Sequence, residues 1–158
     1  MDDERILARL GELGLELPAV TPPVAAYVPC VVHGATATVA GQLPFVEGAL
    51  LNPGTVGEHV SVDEGAAAAG RAALLGLAAL RSGLGGSFAR LERIVQVTVF
   101  VATVPGFVDH PKVANGASEL LGGVLGDPGA HARVSVGVTS LPLGASVEVA
   151  ITAAVTPA

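Results

Sequence analysis

Apolar residues recur at helical spacing near the start of the chain and at alternate positions further on, and these changes of period divide it into elements. Over residues 3–14, Ile6, Leu7, Leu10 and Leu13 share one helical face. Acids fill the first turn and Gly14 follows as a stop, so a short amphipathic helix is predicted. Residues 15–23 are proline-rich and read as an extended linker. Between residues 25 and 41 two β-rich runs flank His33-Gly34, the pattern of a hairpin whose glycine takes positive φ. Residues 42–57 are rich in turn formers and read as a surface loop.

Ser61-Val62-Asp63-Glu64 has the form of a capping box, and an Ala- and Leu-rich helix follows to about Ser82, where Gly83, Gly85 and Gly86 stop it. Its alanines suit close packing on a sheet. Residues 91–103 alternate, which places Val95, Val97, Val99 and Val101 on one face and Ile94, Gln96, Thr98 and Phe100 on the other. Residues 111–125 form a second core helix with Pro111 in its first turn, weakened by Gly116, Gly122 and Gly123. Residues 131–138 and 146–154 are two more strands, joined by a turn around Leu141-Pro142-Leu143-Gly144. The order α, β, β, α, β, α, β, β, without a repeat or a low-complexity break, describes one α+β domain over 1–158.

The last two strands carry candidate chemistry. Alternation sets Val134, Val136 and Val138 against Arg133, Ser135 and Gly137, and Val147, Val149 and Ile151 against Ser146, Glu148, Ala150 and Thr152. The valine faces are expected to pack on the helices. The other face is small and polar, with one arginine and one glutamate, and small side chains suit close approach by another backbone. A subunit interface is therefore expected, with Arg133 and Glu148 lining a cavity in it. A buried arginine needs a partner. Arg133 either pairs with Glu148 as a structural salt bridge or stands ready to grip a ligand carboxylate in a bidentate fork.

Composition narrows the alternatives. The net charge is −6, from eight Lys and Arg against fourteen Asp and Glu, and aromatics make up 3%. With neither a basic stripe nor stacking platforms, nucleic acid is a poor partner. Cys30 is the only cysteine, and the four histidines (His33, His59, His110, His131) lack metal-ligand spacing, so no metal site is expected. No apolar run is long enough to span a bilayer, and the acidic start lacks the layout of a signal peptide, so no membrane partner and a cytoplasmic location are expected.

The stretch HARVSVGVTSLPLGASVEVAI resembles the C-terminal signature of the Rid/YjgF family. AGQLP (Ala40 to Pro44), VANGASELL (Val113 to Leu121) and AAYVP resemble further family motifs, in the family's order, over roughly residues 25–154. The resemblance implies a chorismate-mutase-like sheet with two helices on one face, closed as a homotrimeric barrel with ligand clefts between chains. Residues 24–156 would be the common core, and 1–23 an added N-terminal helix and linker. Relatives hydrolyse reactive enamine and imine intermediates, such as 2-aminoacrylate, to 2-oxo acids and ammonia without a cofactor.

Carried over by position, Arg133 matches the carboxylate-binding arginine and Glu148 the glutamate that holds or activates water. Tyr27, Asn115 and Ser135 match pocket positions, Ser135 standing where many relatives have Cys. Gly41 matches a glycine whose backbone approaches the ligand. Ala40 and Gly137 depart from the usual Ser and Glu, which alters pocket size and charge. His131 is read as a surface or interface histidine, or as an acid–base assistant to Arg133. The rival readings are a non-catalytic trimer that binds a small carboxylate or carbonyl metabolite, a ribonuclease, and a chorismate mutase.

Overall fold

A computed structural model describes residues 1–20 and 26–157; the last three positions of the predicted linker, 21–23, lie outside them. Helix α1 (Asp3–Glu12) opens the chain. Strands β1 (Cys30–His33) and β2 (Thr36–Gln42) form the expected hairpin, with Gly34 at φ 57°. Helix α2 (Val62–Gly83) starts at the capping box, where the Ser61 hydroxyl accepts from the Glu64 amide at 3.2 Å and the Ser61 amide donates to the Glu64 carboxylate at 2.8 Å. Strand β5 (Leu91–Ala102), helix α3 (His110–Leu125), strand β6 (Ala132–Val138) and strand β7 (Val147–Val155) complete the core.

Residues 42–57 are not simply a loop. They contain a small hairpin of β3 (Phe45–Val46) and β4 (Ala49–Leu50), turned at Glu47 and Gly48. Both turn residues have positive φ, 49° and 84°, as a two-residue type I′ turn requires. Arg71 on α2 donates from Nε to the Phe45 carbonyl at 2.6 Å and ties the hairpin down.

The five-stranded sheet has the order β1-β2-β7-β5-β6. Only β5 and β6 run parallel, with α3 as the crossover between them; every other pairing is antiparallel. Helices α2 and α3 cover one face. Ala68, Ala69, Ala72, Ala73 and Ala79 of α2 are buried, and Gly76 lets Ile151 of β7 approach where a Cβ would stand 2.7 Å from its Cδ1. Small side chains thus bring α2 down onto the sheet.

Two predicted faces need correction. On β5, Ile94 is buried and Val95 is 45% exposed, the reverse of the expected assignment, because the β5–β7 register shifts between Ile94 and Gln96. A bulge there adds one residue and flips the phase of Ile94 relative to Val97, and a second shift between Leu91 and Arg93 changes it again. On β6, Val134 and Val136 are 42% and 41% exposed, so its valines do not pack on the helices. Arg133, Ser135 and Gly137 pair in parallel with the buried Val97, Val99 and Val101, and so face the helix side. At this edge strand the covering surface is the polar flank of α3, and the polar residues of β6 turn toward it.

Helix α1 docks through the buried Ile6 and Leu10, which belong to the main hydrophobic cluster. Asp3 receives two bonds from Arg81, at 3.2 and 2.9 Å, and one from the Phe88 amide at 2.7 Å. The Arg81 guanidinium holds the Asp3 carboxyl below its ordinary range. Its stabilisation is therefore complete above the unfolded-chain value near pH 4 and lost as pH falls through the lowered folded value. Asp3→Ala is expected to cost about 1 kcal/mol in urea unfolding at pH 7, with the difference from the parent shrinking at pH 2.

Candidate functional site

Arg133 lies on the edge strand and reaches across to α3. Its Nη1 donates to Asn115 Oδ1 at 2.9 Å and to Ser118 Oγ at 3.1 Å, and Nη2 donates to the Pro111 carbonyl at 3.3 Å. All three acceptors are neutral, and among the described residues no carboxylate lies within ion-pair distance of Arg133. The structural salt bridge with Glu148 is therefore not formed. A guanidinium has five N–H donors, and among the described residues three are engaged, which leaves the Nε–H and one on Nη2. Two free donors in one plane are what a carboxylate fork needs.

Ser118 escaped the sequence reading, as did its bond to His131, whose Nε2 is 3.0 Å from Ser118 Oγ. His131 Nδ1 lies 2.6 Å from the Gly129 carbonyl. The available signal was spacing: Ser118 is three residues beyond Asn115, so both project from one flank of α3. Ser135 follows Arg133 on the same face of β6. At Gly137 a Cβ would fall 2.5 Å from His110 Nε2 and 2.7 Å from Thr103 Oγ1, so those two side chains fill the space that a larger residue would need.

Glu148 is placed elsewhere. In β7 the buried Val147, Val149 and Ile151 face the helices, so Glu148 projects from the open face, opposite Phe100. It lies over Gly41 of β2, where any Cβ would collide with the Glu148 carboxyl. Partial burial pushes that carboxyl above the ordinary glutamate range. The expectation that Arg133 and Glu148 share one face is thus corrected. They stand on opposite faces, two strands apart across the sheet and three residues apart along it. Tyr27, 47% exposed, precedes β1 at the far edge of the sheet from β6.

The expected site residues therefore fall into two separate groups. Arg133, Asn115 and Ser135 belong to the α3–β6 edge, whereas Gly41 and Glu148 belong to the open face of β2 and β7, with Tyr27 at the far edge. Among the described residues no three His, Cys, Asp or Glu side chains converge as metal ligands, and no helix is long and apolar enough to cross a membrane.

A mixed sheet with paired helices on one face is the fold of the YjgF/chorismate-mutase-like class. The family described as "YjgF/chorismate mutase-like, putative endoribonuclease" matches residues 7–155. Protein TCP17 of Trypanosoma cruzi is 42% identical over 146 residues, covering 92% of this chain and 91% of that protein. The crystal structure of Atu1372 from Agrobacterium tumefaciens, described as of unknown function, is 40% identical with a TM-score of 0.91, over 97% of this chain and 94% of that one. A Shewanella oneidensis MR-1 structure described as a putative endoribonuclease is 31% identical with a TM-score of 0.90, over 98% and 99%. The chain belongs to the Rid/YjgF family, and its α+β fold is the family's.

Proposed function

We propose that this protein hydrolyses reactive enamine and imine intermediates of the 2-aminoacrylate kind to 2-oxo acids and ammonia, in clefts between the protomers of a homotrimer. The observation that carries the reading is Arg133, a cation fixed by three neutral acceptors with two donors left over. An arginine so held binds an anion without first breaking an ion pair. Glu148, on the opposite face, would come to the same ligand from a neighbouring chain. The open face supports such an assembly, since Val31, Val134 and Val136 are exposed there.

In this scheme Arg133 grips the substrate carboxylate and so places the C=N carbon in the cleft. The enamine first takes a proton on carbon to become the iminium. Water then adds to that carbon, Glu148 accepts its proton, and the same proton returns to nitrogen. The C–N bond breaks and ammonia leaves as the carbinolamine hydroxyl releases its proton to solvent and the carbonyl forms. A carboxyl held above its usual range is a better base near neutrality than an ordinary glutamate. Ser135, Asn115, Tyr27 and the Gly41 backbone would line the cleft.

The test is turnover of a freshly generated imino acid, produced by an amino-acid oxidase with semicarbazide as a competing trap. Arg133→Ala is expected to reduce kcat/KM at least a hundredfold, about the value of a charged bidentate contact. Undiminished activity in that variant would discard the proposal. The crowding of His110 and Thr103 over Gly137 favours one second reading, a non-catalytic trimer that binds a small carboxylate or carbonyl metabolite. That protein would bind 2-oxo acids and leave the oxidase product to the trap. RNA cleavage fits less well, because a net charge of −6 opposes a polyanion.

A further inference from the structure

The donors and acceptors of the polar cluster behind Arg133 fit one order of protons. The Gly129 carbonyl oxygen only accepts, so the neutral His131 ring carries its hydrogen on Nδ1, 2.6 Å away. Nε2 is then an acceptor, and the group 3.0 Å from it is the Ser118 hydroxyl. Ser118 directs its single hydrogen there, which leaves its oxygen lone pairs for Arg133 Nη1 at 3.1 Å. A serine inside a helix ordinarily bonds back to the carbonyl one turn earlier, here that of Ala114. Ser118 instead reaches across to β6, and His131 supplies the acceptor that draws it there.

We propose that Ser118 and His131 are positioning residues for Arg133: a relay from the Gly129 carbonyl through imidazole and hydroxyl that fixes the guanidinium for a carboxylate. This assigns His131 a role away from the substrate, acting through Ser118 rather than as an acid or base. The inference rests on reading Arg133 as a carboxylate clamp. Its partners all come from α3 and the short stretch between α3 and β6, so the relay is internal to one protomer.

A clamp that holds ground state and transition state alike affects affinity rather than the chemical step. Ser118→Ala is therefore expected to weaken pyruvate binding and raise KM about tenfold, with kcat within about twofold of the parent. Alanine is the better helix former, so the variant should fold. His131→Leu, which offers no acceptor, should match it, whereas His131→Gln, with an acceptor oxygen at similar reach, should restore affinity to within about twofold. Unchanged affinity in Ser118→Ala, a loss confined to kcat, or failure of His131→Gln to recover what His131→Leu loses would overturn the relay. Pyruvate titrations separate it from the catalytic reading. Loss of binding in Arg133→Ala and weakening in Ser118→Ala, with no imine turnover in the parent, would uphold the relay and sink the deaminase. Parental binding in Arg133→Ala would sink both.

Discussion

Reassembling equal amounts of Arg133→Ala and Glu148→Gln protein is expected to restore about one quarter of parental turnover, although each variant alone is inactive. The number follows from the opposite faces of the two residues. If a cleft takes Arg133 from one protomer and Glu148 from the next, each position is intact in half of the chains, and both are intact in one cleft in four. In a ring of three every mixed trimer then has one complete cleft. Were both groups supplied by the same protomer, no chain in the mixture would carry the pair, and activity would stay at the level of the separate variants. Co-refolding followed by the trapped-imine assay reads the difference.

Gly116→Ala is expected to destabilise the fold by about 3 kcal/mol, and Gly116→Val to prevent folding. A Cβ at Gly116 would collide with the Ala66 carbonyl oxygen and stand 2.6 Å from its carbonyl carbon and 3.0 Å from its Cα. These are backbone atoms of α2, so no rotamer change relieves the clash and the two helices must part. The gain in helix propensity, about 1 kcal/mol, is too small to compensate. Gly122→Ala supplies the control: the same helix, the same propensity gain and nothing within 4 Å of the new atom. It should raise stability by up to about 1 kcal/mol. Urea unfolding that finds the two variants alike would show that α2 and α3 do not cross at Gly116.

Much of the fold was legible because local rules and the tertiary structure agree. The capping box at Ser61, the His33-Gly34 hairpin and Pro111 in the first turn of α3 are each fixed by a few neighbouring residues. The failures lie where alternation had to be converted into inside and outside. At β6 the valines looked like core, but periodicity says only that Arg133 and Val134 oppose each other, not which of them meets a helix. The answer depends on Asn115 and Ser118, which sit on a different element. At β5 the bulge between Ile94 and Gln96 leaves no mark in a β-branched run. Glu47 hid the β3–β4 turn, since a glutamate at positive φ is not the asparagine or aspartate that usually announces it. Of the site, the family motifs picked out Arg133, Asn115 and Glu148; the separation of the last from the first two required the sheet register.

That register also assigns the two groups of candidate residues to separate stretches of the chain. Everything that holds Arg133 lies within the strand–helix–strand segment running from β5 to β6, while Glu148 and the glycine beneath it come from β7 and β2. Recombination between relatives that exchanged the crossover segment would carry the anion grip across whole and leave the carboxyl behind. The proposed anion grip and the proposed base would therefore part company in such an exchange.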